Sequence, residues 1–216
     1  MAYPSPAFRE DRTEILHAAI HDLHFGALIT HSESGFATSY LPWELDATCG
    51  PHGTLVGHLA RYNPQSQVPG EGVDALVLFQ GPHAYVSPSW YPGKREDPRQ
   101  VPTWDYLAVE ARGTLVTFDD EARLYNLLTQ LTDHNEAGRA HRWRVTDAPD
   151  DYVREEMRHI VGIELRIESL LGRYKLSQNR NAADREGARG ALAVASTERE
   201  RDLAAAIAAA QRRQNR

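Results

Sequence analysis

The sequence predicts an α+β protein, mainly β, built as a small Greek-key or split barrel with helices outside it. Several short stretches carry strand-like apolar patterns bounded by Gly, Pro, Asp or Ser. One of them, Val73 with Ala75, Leu76, Val77, Leu78 and Phe79, is almost continuously apolar, as expected of a strand buried on both faces. Stretches with helical spacing interrupt the strands without alternating regularly with them, which argues against a parallel sheet.

In chain order, the first helix is expected over residues 11–23. Asp11 would cap it, with Glu14 three residues on, and Ile15, Ala18, Ala19 and Leu23 would form its buried stripe. His17 and His21 share one face of this helix. No carboxylate between them is arranged for chemistry, so they are read as surface histidines and no metal site is assigned. Residues 26–31 and 36–45 read as the strands of a hairpin around a 32–35 turn. Further strands are expected at 54–56, 74–80, 84–87 and 103–118, with Gly113 marking a bulge or turn in the last. Residues 162–170 alternate Ile163, Leu165 and Ile167 against Glu164, Arg166 and Glu168. Helices are expected at 120–137, capped by Asp119 or Asp120, at 150–160 after Pro149, and at 181–194, which holds two glycines. A final Ala-rich helix begins near Ser196. Leu203 and Ile207 are its only large apolar residues, so a weakly packed or frayed tail is expected. The organisation implied is a domain over 1–195 and a helical tail over 196–216.

The chain has 216 residues, enough for one domain with a sizeable core. No apolar run reaches the length of a membrane span, and the start lacks a signal pattern. The single cysteine, Cys49, excludes an internal disulfide and fits a reducing, cytoplasmic setting. There is no CxxC or HExxH pattern, so a structural zinc site is not expected. The net charge of −6 is uneven: residues 173–216 carry 10 basic and 5 acidic side chains, +5, which leaves −11 on the rest. An acidic body is a poor non-specific binder of DNA, because phosphate neutralisation needs Lys and Arg.

The stretch richest in chemistry runs from Gly57 to Tyr106. GHLARYNP reads as a strand end, a glycine break and a short helical turn over 58–62. Free amides at a helix start bind anions, and His58 and Arg61, three apart, would face such an anion together. Gly57 would let a ligand approach closely. SPSWY brings Ser87 and Ser89 next to Trp90 and Tyr91. VPTWDY brings Thr103, Trp104 and Tyr106. Downstream, KLSQNR adds Lys175, Ser177, Gln178, Asn179 and Arg180. Prolines stiffen the run, and flat aromatic faces beside hydrogen-bonding groups suit a planar, polar-edged ligand.

These motifs also resemble a known family. The chain is similar to the PaiB-type family of FMN-binding negative transcriptional regulators through YPSPAFREDR, TLVGHLARYNP, LVLFQGPHAYVSPSWY, VPTWDY, LTDHNE, APDDY, IVGIEL and YKLSQNRNAADREG. The pieces are collinear and cover residues 3–192. The resemblance implies an FMN-binding split β-barrel, a homodimer, and flavin sites at the subunit interface. It implies His58 and Arg61 at the flavin phosphate, and the hairpin strand with Thr38, Leu41 and Pro42 beside the ring. Ser87, Ser89, Trp90, Tyr91, Thr103, Trp104, Lys175, Ser177, Gln178 and Asn179 would complete the pocket, some from the second subunit. The chain departs from the family pattern at Asp105, where Asn is usual, and at Tyr40, Ser66 and Tyr174.

Three functions follow as expectations. The first is an FMN-binding repressor, with DNA as a partner by family analogy alone. The second is a flavin-dependent oxidoreductase, with His83, Tyr85 and Lys94 as candidate side chains and no catalytic residue assigned. The third is a haem-binding barrel, which would need one well-placed imidazole.

Overall fold

In the computed structural model, which describes residues 5–214, the first helix, α1, runs Thr13–Leu23. It starts later than its sequence suggests: Arg12 is the cap position and no side chain caps it. Its buried residues are Leu16 and Ile20, while Ala18 is exposed, so the packed face is rotated from the expected stripe. Tyr3 and Pro4 of the first family motif lie outside the described residues.

A short strand β1 (Arg9–Glu10) precedes α1. The predicted hairpin follows it as β2 (Phe25–Ser32) and β3 (Gly35–Pro42), in antiparallel register from Phe25↔Pro42 to Ser32↔Gly35. Gly35 takes a left-handed φ of 103°, which the tight connection favours in a residue without Cβ. Next come β4 (Glu44–Asp46) and β5 (Thr54–Ala60). Three long strands follow: β6 (Val73–Val86), β7 (Thr103–Phe118) and β8 (Ile160–Lys175). Helices α2 (Glu121–Glu136) and α3 (Asp150–Met157) separate β7 from β8, and α4 (Ala182–Ala193) and α5 (Glu198–Gln214) end the described chain. The strand order is β3-β2-β6-β7-β8-β5-β4, with β1 beside β8. This is the α+β, mainly antiparallel split-barrel class that the patterns predict.

Several strand expectations change. The strand expected over 36–45 ends at Pro42, and Glu44–Asp46 is a separate strand, β4, because it pairs with β5 and not with β2. The stretches at 74–80 and 84–87 are one strand, β6, because Gly81 and Pro82 are accommodated within it. Its apolar run is not buried evenly on both faces: Ala75, Val77 and Phe79 are buried, while Leu76 and Leu78 are only half-buried. Gly113 does not interrupt β7. A Cβ there would sit 1.8 Å from the Arg166 carbonyl oxygen, so the glycine permits close approach of β8.

The chain divides into two compact units. The first comprises Arg12–Phe79 and Glu110–Leu170, and holds α1–α3, β2–β5 and part of each long strand. Its core includes Leu16, Ile20, Leu28, Trp43, Leu55, Phe79, Leu115, Leu127, Ile163 and Leu165. Asp120 caps α2 by accepting from the Arg123 amide at 2.8 Å, as one of the two expected aspartates should.

The second unit comprises Gln80–Val109 and the described residues at 5–11 and 171–214. Its core includes Ala84, Val86, Tyr91, Val109, Leu176, Ala188 and Leu192. The expectation of a frayed tail is overturned here: α5 packs on α4, and Leu203 and Ile207 are fully buried. Two large apolar residues suffice because they lie four apart on one face and the alanines between them let the helices close up. Gly187 has a related role. A Cβ there would meet the Trp90 carbonyl oxygen at 2.1 Å, so glycine lets α4 seat directly against the SPSWY turn.

Candidate functional site

Most predicted site residues fall in the second unit, where Thr103, Trp104, Lys175 and Ser177 share one hydrogen-bonded assembly with Asp105. Asp105, on β7, is its hub. The carboxylate is 1% exposed, accepts from Ser177 Oγ at 2.5 Å, and lies 3.4 Å from Lys175 Nζ. Lys175 also donates to the Trp104 carbonyl at 2.5 Å and to Thr103 Oγ1. Burial pushes the Asp105 carboxyl above its ordinary value, and the Ser177 and Lys175 contacts pull it back. The negative charge at this departure from the family pattern is therefore met internally. Equally, the Lys175 ammonium is committed to its own unit.

Just beyond β8 the backbone is held in an unusual shape. Ser177 has φ 57°, a left-handed conformation uncommon outside glycine. Gln178 stabilises it from both ends of its amide. Its Oε1 accepts from the Leu176 amide at 2.6 Å, and its Nε2 donates to the Ala7 carbonyl at 2.9 Å and to the Tyr174 carbonyl. KLSQ thus performs backbone work, and Asn179 alone of that run is exposed.

The SPSWY and PGK segments fold as two 3-10 turns, Pro88–Trp90 and Pro92–Arg95. Ser87 caps the first by accepting from the Ser89 amide at 3.2 Å, and the two hydroxyls pair at 2.7 Å. Asp184 ties the second turn to α4: it accepts from the Gly93 amide at 2.8 Å and from Asn181 Nδ2 at 2.9 Å. Sequence reasoning missed this aspartate, although Asn181 followed three residues on by Asp184 is a capping signal. Tyr91 is buried, with the Arg180 guanidinium 4.8 Å from its ring centre. Its hydroxyl is buried, and burial raises its pKa while the adjacent Arg180 guanidinium pulls it back.

Trp104 differs from these buried groups. It is 47% exposed, and its Nε1 donates to His83 Nδ1 at 3.2 Å, with ring centres 5.8 Å apart. Tyr85, 48% exposed, follows His83 by two residues on β6 and so shares its face. Burial, then the nearby Arg199 guanidinium, hold His83 below its ordinary pKa. Neutral His83 accepting at Nδ1 carries its proton on Nε2, which is then a donor. An exposed indole, a phenol and an imidazole donor on one face are what a flat ring with carbonyl edges requires. Trp104, Tyr85 and His83 would hold an FMN ring here, and the Tyr91 hydroxyl is a further buried polar group in the same unit.

The remaining predicted residues lie in the first unit, and here the structure corrects the reading. Residues 58–62 are not a helical turn. β5 continues through Gly57 and His58 to Ala60, paired with β8 up to Ala60↔Ile160. No helix amides are free at that point, and the three-residue spacing of His58 and Arg61 no longer puts them on one face. Arg61 makes four hydrogen bonds within its own unit. It donates to both Asp119 carboxylate oxygens at 2.7 and 2.9 Å, to the Arg158 carbonyl at 3.0 Å and to the Ile160 carbonyl at 2.7 Å. His58 is half-buried, its Nδ1 has no hydrogen bond, and desolvation lowers its pKa. Gly57 does not admit a ligand: the space beside it holds Leu41 Cδ1 at 2.9 Å and Trp43 Cε3 at 3.2 Å from a built Cβ. Leu41 is a core residue, Pro42 is half-buried, and Thr38 is exposed between Phe36 and Tyr40 on the open face of β3.

The NPQ part of the motif is a brace. Asn63 Oδ1 accepts from the Gln65 amide at 2.9 Å and Asn63 Nδ2 donates to Ser39 Oγ at 2.8 Å. Gln65, 6% exposed, accepts from Ser39 Oγ at 2.5 Å and donates to Thr30 Oγ1 at 3.0 Å. These bonds lock the β2–β3 hairpin to the turn after β5. Buried amides of this kind must be satisfied, which explains their residue types without any ligand.

Known proteins bear on this geometry. Residues 2–169 match the family described as "Putative FMN-binding domain". The Bacillus subtilis protein named protease synthase and sporulation protein PAI 2 is 32% identical, over 82% of each chain. An uncharacterized Aspergillus fumigatus protein is also 32% identical, over 82% of this chain and 85% of its own. Among solved structures, the FAD and haem binding protein of Mycobacterium smegmatis superposes with a TM-score of 0.57 at 16% identity, covering 78% of this chain and 73% of its own. The flavocytochrome Anf3 of Azotobacter vinelandii gives 0.56 at 12%, covering 77% and 69%. At those identities the likeness shows a shared fold. The sequence match is of another order, its 2–169 range taking in the brace and Thr103, Trp104 and Asp105, and by it this chain belongs to the PaiB-type family of FMN-binding split-barrel proteins.

Proposed function

We propose that this protein is an FMN-binding negative transcriptional regulator that works as a homodimer. Bound FMN supplies a redox-active, coloured ring. The chain's own residues bind and orient that ring. Trp104 and Tyr85 offer flat faces, His83 Nε2–H offers a donor to a carbonyl edge, and the Asp105–Ser177–Lys175 assembly fixes the backbone that carries Trp104. The observation that carries this reading is the half-exposed Trp104 ring held by neutral His83. An indole kept that open on a stiff strand is placed for a partner surface.

A homodimer is supported by a separate feature of the first unit. Phe36 (80% exposed) and Tyr40 (70% exposed) project with Thr38 from one face of β3. Such an exposed aromatic strip suits burial against a second copy. The regulatory role is supported by the match to the Bacillus subtilis protein over four-fifths of both chains. The acidic body means that any DNA contact must be local and salt-sensitive.

The test has two arms. Titration of flavin-free protein with FMN, followed by fluorescence quenching, should show saturable binding that Trp104→Ala weakens. A gel shift with the protein's own upstream DNA, with and without FMN, should show a flavin-dependent complex. Absence of saturable FMN binding rejects the site. FMN binding without a shift, combined with reduced-nicotinamide turnover above that of free flavin, assigns an oxidoreductase in place of a regulator.

A further inference from the structure

In the first unit, His24, Glu44 and His134 converge from the end of α1, from β4 and from the last turn of α2. His134 Nδ1 lies 3.3 Å and His24 Nδ1 3.9 Å from Glu44 Oε1, and the three candidate ligand atoms all fall within 4.8 Å of one another. The His24 and His134 rings are 3.9 Å apart between centres. All three side chains are largely withdrawn from solvent, at 12%, 19% and 23% exposure for His24, Glu44 and His134. Even so, His24 Nδ1 and Glu44 Oε1 are buried without a hydrogen-bond partner among the described residues.

The backbone at His24 is also strained. Its φ is 54°, and besides Ser177 it is the only described non-glycine residue with a positive value. The conformation is held by its amide bonding to the Ile20 carbonyl at 2.8 Å and its carbonyl accepting from the Trp43 amide at 2.9 Å. Strain of this sort is kept where a side chain must be aimed. Here it aims an imidazole at a carboxylate that offers no hydrogen bond in return.

With Asn135 Nδ2 against its Nε2, neutral His24 carries its proton on Nδ1, where it finds no acceptor; an ion that displaces this proton would satisfy His24 Nδ1 and Glu44 Oε1 together. One shared proton could join His134 to Glu44, but it would leave His24 Nδ1 unsatisfied. A tetrahedral ion with bonds of about 2.0–2.1 Å holds its ligands roughly 3.3–3.4 Å apart. The 3.3 Å separation meets that spacing; the 3.9 Å separation, and the three atoms' spread of up to 4.8 Å, require the rings to close in on the ion. Two imidazoles and one carboxylate suit borderline transition ions over Ca²⁺ or Mg²⁺, which favour all-oxygen shells.

We propose that His24 Nδ1, His134 Nδ1 and Glu44 Oε1 bind a divalent transition-metal ion of the zinc class, clamping α1, β4 and α2 together. The fourth position is open to water. Asn135 Nδ2 now lies 3.1 Å from His24 Nε2. The same Asn135 Nδ2 donates to the Leu131 carbonyl at 2.7 Å, which fixes the amide, so an ion on His24 Nδ1, which leaves the proton on Nε2, releases the Asn135–His24 contact.

The test uses the full chain without an affinity tag, stripped of metal and titrated with Zn²⁺ against a chromophoric chelator. The expected result is a single ion per chain, with affinity at least about tenfold weaker in His134→Gln and in Glu44→Gln, and within about twofold of the parent in His141→Gln, an exposed histidine of the same unit. Circular dichroism checks that each variant folds. For a variant that does not, Co²⁺ added to the unaltered chain gives the answer: it should broaden the His24 and His134 ring signals before those of His141. Sub-stoichiometric Zn²⁺ uptake, parental affinity in the Glu44→Gln/His134→Gln double variant, or Co²⁺ broadening centred on other histidines overturns the proposal. None of these readouts depends on flavin.

Discussion

At the residue scale, Asp105 shows how a position can look hostile to an anionic cofactor and not be so. Its charge is shared with Ser177 and Lys175 inside the second unit. Because burial raises its pKa in the fold, the folded protein holds this proton more tightly than the unfolded chain, whose value is near 3.8. Stability therefore falls as pH rises from that value through the folded pKa. Asp105→Asn, which supplies the family's usual residue, should remove this slope. In urea unfolding it should gain on wild type as pH rises from acid to neutral. Arg61 offers the opposite lesson. Its guanidinium is consumed by Asp119 and two carbonyls, so Arg61→Ala should leave FMN affinity within about twofold of wild type. Trp104→Ala, by contrast, should weaken FMN about three- to tenfold through lost stacking. Fluorescence titration of both variants separates the site argued from geometry from the one suggested by spacing alone.

At the scale of elements, apolar periodicity read the turn-side part of the hairpin, α2 and the alternating run in β8 correctly, because each has a regular buried face. It failed where a second partner decides. The residues after Gly57 carry helix-compatible types, yet they are strand because β8 supplies a continuous ladder out to Ile160. Gly113 reads as a breaker until the Arg166 carbonyl is found where its Cβ would be. The terminal helix reads as frayed because its apolar stripe is narrow, yet α4 covers that stripe completely. Ile207→Ala should accordingly cost about 2–4 kcal/mol in chemical unfolding, well above a frayed-helix value near zero. Asp120→Ala, which removes the α2 cap, should cost about 1 kcal/mol by the same measurement.

For the whole molecule, the predicted pocket divides between two compact units. Ser87, Ser89, Trp90, Tyr91, Thr103, Trp104, Lys175, Ser177, Gln178 and Asn179 fall in one, and Thr38, Leu41, Pro42, His58 and Arg61 in the other. Light scattering should report a mass near twice the chain's 24.2 kDa, and Phe36→Asp with Tyr40→Asp should shift it toward the single-chain value. No helix among the described residues is long and apolar enough to cross a membrane. The sequence by itself determined the fold class, most element boundaries and the family, because these rest on period, turn chemistry and collinear motifs that one dimension records. Only the tertiary structure decided which polar residues are structural. A hydrogen-bonding side chain looks the same in sequence whether its partner is a ligand or a carbonyl a hundred residues away. Convergence from distant elements, as at Asp105 and at His24, Glu44 and His134, exists only once the chain has closed on itself.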